Sequence, residues 1–106
     1  MIEITFNPKK YEFKAIGHAE HGEHGKDIVC AAISTLFYTL CNTLEDSRHM
    51  LHKLDIDDTE GNAYVRCKPK KQYEGNVACT YRTILIGAEM VALQYPENVS
   101  FSVVKK

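Results

Sequence analysis

Residues 1–17 read MIEITFNPKKYEFKAIG. Ile2, Ile4 and Phe6 alternate with polar residues, Asn7-Pro8-Lys9-Lys10 offers turn chemistry, and Tyr11, Phe13 and Ala15 alternate again. A period of two places each apolar set on one face of a pleated ribbon, so the segment predicts a β-hairpin with one core-facing side. The period then changes. From Val29 the apolar residues Ile33, Leu36, Phe37, Leu40 and Leu44 recur at three- and four-residue spacing, the stripe of a helix lying on a core. Near residues 52–68 a second hairpin is expected, with Leu54 and Ile56 on one arm, Glu60-Gly61-Asn62 as the turn and the β-rich AYVRC on the other. A second helical stripe runs from Val77 through Tyr81, Ile84, Leu85, Ala88, Val91, Ala92 and Tyr95 to a stop at Pro96, and Val99, Phe101 and Val103 alternate in a last strand. The order is ββαββαβ, which points to an α+β fold with two helices on one face of an antiparallel or mixed sheet. The other face must be polar or covered, in part by a second copy. Phe37 and Tyr38 are neighbours on the first helix, so one of them points away from the core.

A chain of 106 residues, 44% apolar and 25% charged, suits one domain over residues 1–106 with one modest core. Thirteen basic against 14 acidic residues give a net charge of −1, which supplies no bulk drive toward nucleic acid or an anionic membrane. The basic groups Lys68/Lys70/Lys71 and Lys105/Lys106 are small enough to read as solvated surface. No apolar run reads as a membrane span and the first residues alternate instead of forming a signal-peptide block, so a cytoplasmic protein is expected. In that compartment Cys30, Cys41, Cys67 and Cys79 stay free thiols, with Cys41, Cys67 and Cys79 expected to be buried and inert.

Between the first hairpin and the first helix lies GHAEHGEHGKDIVCAAIS, residues 17–34. Asp27 stands where a helix cap belongs, and Cys30 follows three residues later. A sulfur in a first turn sits near the positive end of the helix dipole, which favours the thiolate, and first-turn N–H groups can donate to an oxyanion. The negative charge of Asp27 works against the thiolate. Of the three histidines upstream, His18 follows the strand-closing Gly17, whereas His21 and His24 lie among Gly22 and Gly25 in a pliable stretch. Position therefore favours His18 as a base for Cys30, with the glycine loop able to order over a substrate. Ser34 lies one turn beyond Cys30 and can either meet a substrate or bond back to a carbonyl of its own helix. Two other readings stay open on the residues alone. His18, His21, His24 and Cys30 are all competent zinc ligands, although Gly22 and Gly25 argue against the helix that a His-x-x-His-x-x-His array wants and no HExxH motif occurs. A histidine-rich surface loop with no chemistry is the third.

The combination Gly17-His18, a loop carrying Gly22 and Gly25, Asp27-Ile28-Val29-Cys30 and Ser34 closely resembles the signature of the ribosomal-processing cysteine proteases, the Prp or YsxB-like family. The His-to-Cys separation fits, and the length and strand–helix order extend the likeness over the whole chain. The resemblance implies a cysteine endopeptidase with no cofactor or metal and an assembly of two identical chains. Its substrate would be the precursor of the large-subunit ribosomal protein number twenty-seven, from which it removes a short N-terminal extension during ribosome maturation. Cys30 would be the nucleophile, His18 its acid/base partner, and Asp27 and Ser34 supporting residues. No membrane and no direct nucleic-acid contact are expected. The competing classes are a metal-dependent hydrolase using the histidine-rich loop and a non-catalytic ribosome-assembly factor.

Overall fold

The structure is a computed structural model that describes residues 1–17, 28–59 and 61–105. Strands β1 (Ile2–Asn7) and β2 (Glu12–Gly17) form the first hairpin, followed by helix α1 (Ile28–Asp46), strands β3 (Leu51–Asp57) and β4 (Asn62–Pro69), helix α2 (Glu74–Gln94) and strand β5 (Val99–Val103). Short 3₁₀ turns at Arg48–Met50 and Lys71–Tyr73 lead into β3 and α2. The strands form one sheet in the order β3-β4-β2-β1-β5, antiparallel except where β5 runs parallel to β1. The parallel pair follows from connectivity: only a crossover element such as α2 can return the chain to the far edge in the same direction. The expected ββαββαβ order and mixed sheet are both present.

Register explains the single core face. Ile4 pairs with Ala15, Phe6 with Phe13, Phe13 with Val65 and Ile4 with Phe101, so one side of the sheet is continuous apolar surface. Both helices lie on it, and the hydrophobic cluster unites Ile2, Ile4, Phe13 and Val65 of the sheet with Val29, Ile33, Phe37, Leu40 and Leu44 of α1 and Val77, Tyr81, Ile84 and Ala88 of α2. The opposite side is polar: Lys14, Arg66, Asp55, Lys53, Ser100 and Ser102 occupy the alternate positions, with Arg66 reaching Glu12 and Asp55. Burial fades at the sheet edges, where Ile56 and Val103 keep the inward register but stay exposed because neither helix reaches over them.

Three expectations need correction. Cys41 and Cys67 are buried, but Cys79 is exposed on α2. Its position lies off the stripe that contacts the sheet. Helix α1 is, by length and composition, long and apolar enough to cross a membrane. The apolar count is high because one face serves the core while the other is stocked with threonines. Thr35, Thr39 and Thr43 each donate to the carbonyl one turn back, at 2.8, 2.6 and 2.7 Å, and so mute their own polarity. Finally, the basic residues do not stay in two small clusters. The fold gathers Lys9 and Lys10 from the β1–β2 turn, Lys53 from β3, and Arg66 and Lys68 from β4 around a shallow cleft of about 470 Å³.

Candidate active site

At the opposite end of the sheet, where β1 begins and β2 ends, a cleft of about 250 Å³ is lined by Cys30, Ser34, Phe37 and Tyr38 of α1, by Ile2, Ala15, Gly17 and Ala63 of the sheet, and by Asp58, Thr59 and Gly61 of the β3–β4 turn. Cys30, Ser34 and Tyr38 are spaced by four, so one face of α1 presents a thiol, a hydroxyl and a phenol in a row along the cleft. Cys30 is the third residue of the described helix and half-buried, packed against the core through its neighbours. Val29, fully buried beside it, anchors the first turn to the core and so fixes the height at which the sulfur emerges. Phe37 turns inward and Tyr38 outward, 46% exposed, the division expected for that pair. Their rings remain in edge contact at 5.4 Å.

Ser34 resolves one alternative. Its hydroxyl makes no hydrogen bond among the described residues, unlike the three threonines that bond back along α1, and it lines the cleft.

Gly17 sets the other wall. Its φ of +105° belongs to the region glycine tolerates, and a Cβ built there would stand 2.2 Å from the Met1 carbonyl oxygen. Its N–H donates to the Gly61 carbonyl at 2.9 Å, tying the end of β2 to the β3–β4 turn. That turn is held in its own right: Asp57 Oδ1 accepts from the Thr59 N–H and hydroxyl at 2.9 and 2.6 Å, which lowers the Asp57 carboxyl below its ordinary value, the hydroxyl contributing most. Asp58 and Thr59 are thus carried to the cleft on a braced support. Sequence reading missed both. An Asp-Asp-Thr run before a turn signals the turn itself, and only the pairing of β2 with β4 brings it beside Cys30.

His18, Gly22, Gly25 and Asp27 lie outside the described residues, as do His21 and His24. The described chain enters that segment at Gly17 and leaves it at Ile28, and Gly17 shares its cleft with Cys30, two residues beyond Ile28. Among the described residues no cluster of three metal-competent side chains occurs. The other two thiols differ from Cys30 in environment. Burial pushes Cys41 up to about 12, with the charges of Asp58 and Glu45 adding to it, and burial also raises Cys67, which accepts from the Tyr81 hydroxyl at 3.5 Å. Both are kept protonated and poor nucleophiles.

Comparison with known proteins agrees with this geometry. The family model described as Cysteine protease Prp matches residues 1–100. The ribosomal processing cysteine protease Prp of Staphylococcus aureus is 28% identical over 100 residues, covering 92% of either chain. Among solved structures, the S. aureus ribosomal processing protease Prp with a covalently linked product peptide superposes with a TM-score of 0.74 at 27% identity over 97% of both chains. The same protease with a substrate peptide gives 0.70 at 26%, over 97% of both. A Streptococcus mutans protein gives 0.71 at 27%, over 99% of this chain and 93% of its own. A braced cleft with a half-buried cysteine in the first turn of its wall helix is thus found in a chain that belongs to the family of the cysteine protease Prp, a peptide hydrolase.

Proposed function

We propose that this protein is a cysteine endopeptidase of the cytoplasm that uses Cys30 as nucleophile and His18 as acid/base. In this reading it removes a short N-terminal extension from the precursor of the large-subunit ribosomal protein number twenty-seven, working as a homodimer. One observation carries the reading: Cys30 stands in the first turn of α1 on the same cleft as Gly17, the residue immediately before His18. The first turn favours an ionised sulfur and supplies N–H donors that no backbone carbonyl of the helix can take up. In the first step His18 takes the Cys30 proton and the thiolate attacks the scissile carbonyl carbon. The tetrahedral oxyanion is held by first-turn N–H groups. As it collapses the C–N bond breaks, His18 protonates the leaving amine, and a thioester joins the extension to Cys30. Water, deprotonated by His18, then hydrolyses the thioester and restores the thiol. Asp27 supports the start of the helix, and Ser34 directs its unengaged hydroxyl at the bound chain. The substrate tail lies extended in the cleft with its apolar side chains toward Phe37 and Tyr38. The S. aureus relative, named a ribosomal processing protease and solved with peptide, supports the substrate class.

The test is direct. The precursor protein is incubated with wild type and with Cys30→Ala, His18→Ala, His21→Ala and His24→Ala, and cleavage is followed by mass spectrometry. Cys30→Ala and His18→Ala should abolish processing, whereas the other two histidine changes should leave it within a few-fold. Cleavage by Cys30→Ala overturns the nucleophile. Tolerance of His18→Ala alongside loss in His21→Ala or His24→Ala overturns the base. A chelator should leave activity intact and a thiol-alkylating reagent should remove it.

A further inference from the structure

The β1–β2 turn separates two hollows of different chemistry. On one side is the basic cleft of about 470 Å³, where Lys9 and Lys10 of the turn, Lys53 of β3 and Arg66 and Lys68 of β4 stand with Asp55 and Glu74. On the other is a mainly apolar groove of about 280 Å³, formed by Phe6 and Pro8 and by Ala78, Tyr81, Arg82 and Leu85 of α2. Tyr11 lines both. Its φ of +48° is unusual for a residue with a side chain. Its carbonyl accepts from the Cys67 N–H at 3.4 Å and its ring meets Tyr81 edge-on at 5.6 Å, so it is held at the boundary between the hollows.

The fold does not use up the charge in the cleft. Arg66 reaches Glu12 and Asp55 at 3.9 and 3.4 Å, and Lys53 reaches Asp55 at 3.7 Å. Lys9, Lys10 and Lys68 form no ion pair among the described residues. Lys68 also stands directly opposite Lys53 in the β3–β4 register, a like-charge pairing that costs the sheet stability. The turn lysines rest on an ordered support, because Asn7 accepts the Lys9 N–H on its side chain at 3.0 Å and the Lys10 N–H on its carbonyl at 3.2 Å. The net charge of −1 conceals this excess, which is drawn together from separate strands.

From these adjoining hollows we infer that this end of the sheet binds a nucleotide, with phosphate groups on Lys9, Lys10 and Lys68 and the base in the groove beside Tyr11 and Arg82. A phosphate fixed to a flat ring matches a cationic cleft that opens beside an aromatic-lined groove. An acidic peptide would answer the charge and leave the groove without a ring. The unit is either a free nucleotide or one residue of an RNA strand. The Cys30 cleft lies at the other end of the sheet, so an occupant here leaves it open.

Fluorescence anisotropy of a fluorescein-labelled 12-nucleotide single-stranded RNA on the intact chain at low salt tests the site, with unlabelled RNA, ATP, inorganic polyphosphate and polyglutamate as competitors. RNA should bind, and three lysines at about 0.7 per phosphate should give a log–log salt slope near roughly −2. Lys9→Glu and Lys10→Glu should each weaken binding at least tenfold with an unchanged circular dichroism spectrum and unchanged cleavage of the precursor protein. Ala78 is exposed on the groove, so Ala78→Gln should fill it and weaken RNA binding several-fold while leaving polyphosphate binding as it was. Competition by ATP as strong as that by RNA identifies a free nucleotide, and much weaker competition identifies a strand. Absence of binding by both RNA and ATP, or binding that survives both lysine changes, overturns the site. Equal competition by polyglutamate overturns the nucleotide, and equal competition by polyphosphate together with a silent Ala78→Gln overturns the place of the base.

Discussion

Gly17 occupies a position where a single methyl group has nowhere to go. The backbone is at φ +105° and the Met1 carbonyl closes the space a Cβ would need. Gly17→Ala therefore adds the strain of a left-handed residue, of order 1–3 kcal/mol, to a clash with main chain that no rotamer relieves. A lowered urea midpoint together with weaker cleavage is expected, because the same residue anchors the β3–β4 turn and precedes His18. A neutral substitution would show that β2 can end in another way. The thiols make a second residue-scale case. Cys30 and the exposed Cys79 should react with iodoacetamide near neutral pH well before Cys41 and Cys67, whose burial holds them protonated. Mapping the labelled peptides by mass spectrometry checks the order, and early labelling of Cys41 or Cys67 would contradict it. In the sequence the four cysteines look alike. The helical period reveals the inward direction of Cys41, but nothing local shows Cys67 meeting the Tyr81 hydroxyl, a contact between β4 and α2.

Each helix combines a core stripe with an outer face of different purpose, and the stripes were legible because burial against a sheet imposes a 3.6-residue period on the apolar residues. The hairpin of β1 and β2 was legible for the corresponding reason at period two. Pairing across distance was not: nothing in Val99–Val103 says that it lies parallel to β1, and nothing in Asp58-Thr59 says that it joins the Cys30 cleft. Cys30 and Ser34, which the fold places on one cleft, could be singled out because the loop-to-helix junction concentrates its chemistry in one stretch of sequence. The helix–helix contact offers a test at this scale. A Cβ on Gly87 would meet Leu36 Cδ2 at 2.8 Å, so α2 approaches α1 there at a glycine. Gly87→Ala removes a poor helix former, worth about 1 kcal/mol, against the repacking of one flexible leucine end. The net change should stay within about 1 kcal/mol in urea denaturation. Gly87→Leu should instead force the helices apart and lower stability by more than that, and equal midpoints for the two variants would contradict the close approach.

For the molecule as a whole, the titrating groups buried in its core or packed against it point in one direction. Burial raises Cys41, Cys67, Tyr81 and Tyr11, with the nearby charge of Glu74 also acting on Tyr11. Each is neutral when protonated, and each holds its proton more tightly folded than unfolded. The unfolded chain therefore loses these protons first as pH rises, and every proton lost there draws the equilibrium toward unfolding. For Cys41 the stabilisation is complete below the ordinary thiol value of 9.0 and drains away up to about 12. The fold should accordingly hold a level urea midpoint on the approach to pH 9 and lose stability steeply beyond it. Cys41→Val keeps a buried side chain of similar size without the ionisable group, so its midpoint should fall less between pH 9 and 11 even if it starts slightly lower. Chemical denaturation at half-unit pH steps distinguishes the outcomes. Parallel curves for wild type and variant would mean that Cys41 ionises as readily in the folded chain as in the unfolded one, which its burial on the core face of α1, under the charges of Asp58 and Glu45, argues against.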